Sequence, residues 1–439
     1  MLQLENLKLL HSIVSKTLLF NSLPKDISCY VVGGAVRDCL LGKPFGCEID
    51  LITNEFDRVV STLRNKFTLI QLSDKFGTVR IRSGKIWFDI SKIFGSVIED
   101  LSLRDFTINA LALDLSNCEL IDPLGAKFDL ENRVLRPVSS HAIKDDPLRI
   151  LRAARFGPGQ AFSVSKPLNE EVISSRHLLS SIPAERIGQE FQKICAADHP
   201  YSAFCWLDEM EILDELFPPW RLARGFQQNE FHIEDVAKHT LTVLKRADDL
   251  AKKLNFQKSW KELLIASAFF HDIKKPECFT IDKSGKRRFF NHEYLAEKYV
   301  RQTLKKFSLE KDFVEAVAML VKLHMRPLNC GPSGARRILR ETNDLYPVWR
   351  ALKIADKPPV QSDDEFEEIL ASFDKLVEQV KPKEVKMFKF DGETLKKLGF
   401  VEGKALGRTL RSLKFKASEN PEYDSESFVA IIASRFKKI

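Results

Sequence analysis

Several things this chain of 439 residues lacks narrow its class before any motif is read. Its eight cysteines are scattered, with no CxxC spacing among them. That argues against a zinc or disulfide framework and for free thiols in a reducing cytoplasm. No apolar run approaches the ~20 residues of a membrane-spanning helix. The opening MLQLENLKLLHSIVSK mixes acid and base on an amphipathic helical pattern and lacks the uninterrupted apolar core of a secretory signal. There is no low-complexity tract and no internal repeat. The net charge of +7 is mild, but fourteen Lys and Arg against eight Asp and Glu from Lys381 onward concentrate it in the last segment. A basic tail of this kind favours a polyanionic partner. The chain is 44% hydrophobic, enough for substantial cores. Its length suggests about two to four domains.

The chain is organised around YVVGGAVRDCLLGKPFGCEIDLI, Tyr30 to Ile52. Tyr30-Val31-Val32 reads as a short strand. Gly33-Gly34 ends it, allowing positive φ and leaving no Cβ to hold a phosphate off the backbone. Ala35 to Leu41 reads as a helix whose first N–H groups point back at the glycine turn, which makes an anion site. Arg37 and Asp38 fall in its first turn, and Arg37 is placed to offer a phosphate a fork of donors. Glu48-Ile49-Asp50 reads as the start of a second strand. Alternation sets Glu48 and Asp50 on one face and turns Ile49 to the core. Two carboxylates beside a phosphate cradle are what a pair of Mg²⁺ ions needs to activate a hydroxyl and hold a triphosphate.

The series GGxVRDxLLG followed by acid-x-acid resembles the opening motif of the tRNA nucleotidyltransferase and bacterial poly(A) polymerase family, and more of that family's motifs follow in order. The resemblance implies an α+β fold. A small mixed-sheet, polymerase-beta-like head would span 1–136, a largely all-α neck 137–225, an HD-type helical domain 226–360 and a basic, tRNA-binding helical tail 361–439. It also implies template-independent addition of nucleotides from CTP or ATP to the 3′ end of tRNA, with catalytic Mg²⁺ on Glu48 and Asp50 and release of pyrophosphate.

Downstream, residues 67–70 and 78–82 read as strands, Ser83-Gly84-Lys85 as a hairpin turn, and 86–90 as the returning strand. Asp89 on that strand fits the family's third carboxylate and equally an ordinary strand-end Asp. LRDFTINALALDL, from Leu103, has helical spacing at Ile108, Leu111 and Ala112, with Asp105 at an N-cap or in the first turn. It resembles the family's RRDFTINA motif. That implies nucleotide contacts for Arg104 and Asp105, and for Asn109 a bond to the nucleotide or a role holding the motif together. Leu103 stands where the family has its first Arg. Asp122 to Leu130 resembles the DPxGGxxDL pattern, a capped turn joining head to neck.

Asp145-Asp146-Pro147-Leu148-Arg149 resembles the family's (Glu/Asp)-Asp-x-x-Arg motif. On a helix, Asp146 and Arg149 share a face. An acceptor beside a donor fork copies the edge of a template base. The resemblance implies that this pair selects CTP, and ATP where it is used, with Arg152 as a further nucleotide-binding candidate. Taken alone, the pair reads as a surface ion pair; the series of motifs around it favours the base-reading role. Pro183-Ala184-Glu185-Arg186-Ile187 opens another helix and fits the fifth motif, with ion pairing that holds the neck.

Five of the nine histidines lie between His232 and His324. The order His239, His271-Asp272, Asp356 resembles the HD metal-dependent phosphohydrolases. It implies ligands for a divalent metal, with His292 and His324 at a second one; HD remnants can also be purely structural. The tail, residues 390–413, resembles the family's GxxLxxLGxxxGxxxGxxL pattern. Asp391 is read as a helix cap with Leu395 and Leu398 on the apolar stripe. Lys404 and Arg408 are read as a clamp on the acceptor arm of tRNA, against simple helix packing.

Only ten residues separate Asp89 from Asp100. The family usually carries a longer, arginine-containing flexible loop there, and its absence is associated with enzymes that add CC and stop. CC addition is therefore expected ahead of full CCA addition. Glu48 stands where the family prefers Asp, and Mg²⁺ is strict about geometry, so reduced activity falls within expectation. The alternatives are a bacterial poly(A) polymerase, an HD metal-dependent phosphohydrolase with an inactive head, and a tRNA-binding protein without catalysis.

Overall fold

The computed structural model describes residues 2–44, 46–73, 77–228, 234–357, 361–380, 391–397, 403, 406–407, 409–410 and 413. His232, Leu398, Lys404 and Arg408 lie outside them. The chain divides into two compact units. One runs to Lys322 and takes back Ala351–Asp356; the other holds Leu323–Arg350 and the described residues from Lys357 on.

In the first unit, seven strands form one mixed sheet. They are β1 (Cys29–Val32), β2 (Glu48–Thr53), β3 (Leu69–Ser73), β4 (Thr78–Ser83), β5 (Ile86–Lys92), β6 (Ala112–Asp114) and β7 (Leu120–Ile121). Their order is β3-β4-β5-β2-β1-β6-β7. All neighbours are antiparallel except β2 and β5. A parallel pair needs a crossover, which the helix Phe56–Arg64 and the β3–β4 hairpin supply. Ile49, Leu51, Val79, Ile81, Phe88 and Ile90 are buried on one face. The residues between them, Glu48, Asp50, Arg80, Arg82, Trp87 and Asp89, take the other. The helix Gly34–Leu40 follows β1 directly and is tied to the helix Leu2–Ser15: Asn6 Nδ2 donates to the Cys39 carbonyl (3.2 Å), and the Cys39 thiol donates to the Asn6 carbonyl (2.9 Å).

The expected α+β class therefore holds, a mixed-sheet head followed by helices. One element differs. Residues 107–113 form no helix; Thr107–Asn109 is a single 3-10 turn and β6 follows it. The apolar run Ala110–Leu113 is fully buried, and β6, which takes up its second half, pairs with β1. A continuously buried strand has no period that distinguishes it from a buried helix.

The later helices of this unit share one aromatic core. Phe191 and Phe217 meet Phe269, Phe270 and Phe307 with ring centroids 4.9 to 6.3 Å apart. In the second unit, the helices Pro332–Thr342 and Asp363–Val380 pack together. Beside them lies a cavity of about 390 Å³, lined by residues such as Leu328, Ile369 and Phe373. Asp391 caps the helix Gly392–Lys397, accepting from Thr394 N at 2.8 Å. No described helix is long and apolar enough to cross a membrane.

The aromatic core sets a tight tolerance at Gly188, in the helix Ala184–Cys195. A Cβ there would lie 2.4 Å from the Phe307 carbonyl oxygen and 2.5 Å from its Cβ. Alanine gains about 1 kcal/mol of helix propensity, but backbone atoms cannot step aside and overpacking costs about 1–3 kcal/mol. With the clash against backbone placing the cost at the upper end of that range, Gly188→Ala is expected to destabilise the fold by about 2 kcal/mol net. A urea denaturation midpoint unchanged or raised would contradict the close crossing.

Candidate active site

The acids meet because β2 lies between β1 and β5. Asp50 stands opposite Val32 on one side and opposite Asp89 on the other. Gly33 comes next after Val32, with φ +69°, and a Cβ there would sit 3.3 Å from both Asp50 Oδ2 and Arg104 Nη1. Glycine is needed here twice, for the backbone angle and for the close approach. Thus the glycine bend, Asp50 and Arg104 share one pocket, and Glu48 opens onto the same face. Arg104 Nη2 bonds Asp100 (3.3 Å), while its buried Nε has no partner among the described residues.

Asp89 is bonded twice by Arg80, Nε to Oδ1 at 2.7 Å and Nη2 to Oδ2 at 2.8 Å. Arg80 Nη1 also stands 3.6 Å from Glu48. By accessible area Asp50 is exposed. Even so, the protein around it strips enough water to push its carboxyl above the usual range; Arg104 opposes the shift, and Asp89 and Glu48 add to it. Hard oxygen donors with uncompensated negative charge fit Mg²⁺. Glu48 and Asp50 would hold it, and Asp89 could join only after releasing Arg80.

Arg37 lies beside the bend, its Nη2 3.7 Å from where a Cβ on Gly34 would stand, but its donors are taken. Its Nη1 donates to Asn109 Oδ1 (2.7 Å), and its Nε and Nη2 donate to Asp38 Oδ1 (2.9 and 2.7 Å). The guanidinium also lies 4.8 Å from the Phe156 ring centroid. The fork expected to serve a phosphate is committed inside the protein. Asn109 Nδ2 donates in turn to Asp105 Oδ1 (3.0 Å). Asp105 pairs with Arg152 at 2.6 Å. Arg152 approaches Glu190 (3.8 Å), which also holds Arg155 (2.8 Å) and Lys193 (3.0 Å). Burial works against the Asp105 carboxylate, but Arg152 and the Asn109 bond outweigh it and hold its pKa below the usual range.

Asp146 and Arg149 do not share a helical face. Asp146 is extended (φ −148°, ψ 98°), because the residue before a proline is pushed out of the α region. Arg149 opens the helix Arg149–Phe156. Asp146 accepts from Arg186 Nη2 at 2.8 Å and Nη1 at 3.3 Å. Arg149 donates to the carbonyls of Ala142 (3.2 Å) and Leu103 (2.8 Å). Sequence reasoning assigned the Glu-Arg dipeptide a neck ion pair but gave Arg186 no partner and missed Glu190 and Arg80. Arg80 had a usable signal, since it faces Asp89 across a predicted hairpin.

A second cluster lies elsewhere in the same unit. His239 Nε2 is 3.2 Å from Asp356 and 3.4 Å from Asp272, and His271 Nε2 is 3.1 Å from Asp272 and 3.4 Å from Asp356. His271 Nδ1 is 2.8 Å from the Ala268 carbonyl, a contact that fixes the ring and leaves Nε2 facing the cluster. All four residues can offer a ligand atom to one ion. Lys275 Nζ lies 2.5 Å from Asp272, and His292 Nε2 lies 3.3 Å from the other Asp272 oxygen. Without an ion, burial opposes an imidazolium at His271, yet Asp272 and Asp356 raise its pKa to about 10. His324 belongs to the second unit, buried directly after the helix Lys311–Leu323.

Comparison with known proteins puts the two clusters in separately matched regions. The description "Poly A polymerase head domain" matches residues 29–94 and 89–136, "Probable RNA and SrmB- binding site of polymerase A" matches 161–222, and "HD domain" matches 236–358. An A-adding tRNA nucleotidyltransferase of Deinococcus radiodurans is 30% identical over 346 residues, 74% of this chain and 75% of the relative. The chain belongs to the tRNA nucleotidyltransferase family. A CC-adding member from Thermus thermophilus is 26% identical over 402 residues, 89% of each chain. Another from Halalkalibacterium halodurans is 39% identical over 183 residues, 41% of this chain and 48% of the relative. Among solved structures, a CCA-adding enzyme in complex with CTP aligns with TM-score 0.59 at 20% identity, covering 100% of this chain and 98% of the other. That likeness speaks for the fold.

The Asp105–Arg152 pair in this nucleotidyltransferase gives a pH-dependent test. A carboxylate held below its usual pKa contributes stability that is present at neutral pH and lost as pH falls through the folded value. Arg152→Met strands Asp105, at an expected cost of roughly 2–4 kcal/mol near neutral pH. Burial then dominates and raises the Asp105 pKa, so the deficit shrinks on acidification. Urea unfolding near pH 7 and near pH 5 checks this; a deficit that grows on acidification contradicts the pairing.

Proposed function

We propose that this enzyme adds cytidylates from CTP to the 3′ end of tRNA and stops at CC. The observation that carries the transfer reaction is the convergence of Asp50 and Arg104 on the Gly33 bend, each 3.3 Å from where a Cβ would stand, with Glu48 on the same sheet face. In this reading Gly33, Gly34 and Arg104 receive the triphosphate. The tRNA 3′ oxygen bonds the α-phosphorus, the bond from that phosphorus to the bridging oxygen breaks, pyrophosphate leaves, and the hydroxyl proton passes to water. Bound at Glu48 and Asp50, Mg²⁺ would acidify that hydroxyl and neutralise the triphosphate. Asp146 accepts from the amino group of cytosine and Arg149 donates to the ring edge, after the base replaces Arg186 and the two carbonyls that hold them now. Lys404 and Arg408 are assigned to the acceptor arm by the tail motif alone.

The stop at CC is supported by the connection after β5. Only residues 93–96 lie between β5 and the helix Val97–Ser102. Ser96 and Glu99 close a capping box there, and Gly95 turns with φ +72° so near Glu99 that a Cβ would lie 2.3 Å from its Oε2. This is a fixed turn with no room for a flexible loop. The test is to incubate the protein with tRNA lacking its 3′ end, CTP and ATP, and to sequence the product. CC is expected, and Asp50→Asn should reduce the rate by at least about a hundredfold. A product ending in CCA, a single A on tRNA already ending in CC, or an A homopolymer each sinks the CC assignment.

The convergent Nε2 atoms of His239 and His271 with Asp272 and Asp356 favour a second, independent reading, a divalent metal in the HD region. Elemental analysis of the purified protein should find such a metal, lost in His239→Ala. Equal metal content in both proteins overturns it.

A further inference from the structure

On the side of the acids away from the glycine bend, the open sheet face carries an aromatic and basic surface that the reading so far leaves without a role. Trp87 stands opposite Glu48 on the neighbouring strand, and Arg82 stands opposite Trp87 on the next. The Arg82 guanidinium lies 5.5 Å from the Trp87 ring centroid. Trp87 is half-buried and Arg82 exposed. Arg80 lies on the same face, as does Ile70, its partner on β3, which is 46% exposed. Arranged along the sheet, the order is then Arg80 and Arg82, Trp87 and Asp89, Glu48 and Asp50, and last the bend at Gly33.

In-line phosphoryl transfer places attacking and leaving oxygens on opposite sides of the phosphorus. The Gly33–Arg104 pocket lies on the β1 side of the acids, so the attacking hydroxyl belongs on the β5 side. We infer that Trp87 and Arg82 form the seat for the unpaired 3′-terminal nucleotide of the RNA acceptor, its base on the indole and its phosphate against Arg82. A half-exposed indole one strand spacing, about 4.8 Å, from a catalytic carboxylate suits base stacking, which tolerates any base identity. Such tolerance is what an acceptor whose terminal base changes after each addition requires. Charge agrees at Arg82, whose guanidinium can meet the RNA phosphate while Arg80 stays on Asp89. This inference rests on the proposed transfer reaction, because that reading supplies the RNA end.

The competing account is a cross-strand pair that only stiffens the β4–β5 hairpin. The two differ in which constant moves. Trp87→Ala is expected to raise KM for RNA about tenfold to a hundredfold and leave KM for CTP unchanged, with Trp87→Phe recovering most of the loss. Arg82→Gln should weaken RNA binding and flatten its salt dependence. Equal changes in both KM values, or none, overturn the seat. A second measurement separates this from failure of the transfer reading. Without nucleotide, the full chain should bind RNA with an unpaired 3′ tail more tightly than blunt duplex RNA, and Trp87→Ala should abolish that preference. An unchanged preference overturns the seat even if the protein adds no nucleotide, whereas a lost preference supports it in either case.

Discussion

Three carboxylates on one open sheet face repel each other, and the head is arranged around that repulsion. At one strand spacing and an effective dielectric of about 20, the Asp50–Asp89 pair alone would cost roughly 3 kcal/mol. Two guanidinium groups answer it from opposite sides, Arg80 on Asp89 and Arg104 near Asp50. Arg82, on the same face, lies against Trp87, so nearest the acids two positive charges stand against three negative ones. Loss of water around Asp50, and after it the neighbouring Asp89 and Glu48, keep its carboxyl above the usual range, and the negative charge beside the bend gives the site its pull on a divalent cation. A neutral face would need no ion, and a face without Arg80 would be harder to fold. Compensation is therefore deliberately incomplete at the position next to the glycine bend.

The same logic of paired burial links the head to the helices after it. Arg37 could have served a phosphate, but Asn109 and Asp38 take its donors, and Asn109 passes the contact to Asp105 and Arg152. A run of hydrogen bonds and ion pairs joins the helix behind the glycine bend to the helix that Arg149 opens. Buried pairs of this kind add little net stability, because desolvation cancels most of the attraction. Their effect here is geometric: a guanidinium with several fixed acceptors has one orientation. The nucleotide's phosphates and its base would therefore be gripped by elements whose spacing is set by one hydrogen-bonded chain.

The local parts of this arrangement were legible in the sequence. The strand, bend, helix and acid strand around Gly33 follow from residues close together in the chain, where alternation and glycine chemistry act directly. The HD cluster was legible because histidines and acids are rare enough that their order is informative. Legibility failed where the decisive contact is distant or conformationally forced. Asp146 left the helix because of Pro147, a signal that was present but was overridden by the i, i+3 spacing. Arg186, forty positions away, shares no periodicity with it. The buried strand after Asn109 carries no pattern distinguishing it from a helix. Arg37 had two plausible destinations, and only the tertiary position of Asn109 chooses between them.

The partners found at Asp146 and Arg149 bear on how a protein can read a base at all. Neither side chain waits empty: one carboxylate is held by a guanidinium, and one guanidinium by two carbonyls. A matching base replaces bonds of similar kind, so the exchange gains little by itself. A mismatched base leaves a charged, partly buried group without its partner, which costs about 1–3 kcal/mol or more for each. Selection in such a site comes from the penalty on the wrong base more than from attraction to the right one, the same asymmetry that lets enzymes reject substrates lacking a required polar group. Holding both side chains oriented in advance, as Arg186 and the carbonyls of Leu103 and Ala142 do, would keep that penalty from being relaxed away by rotation.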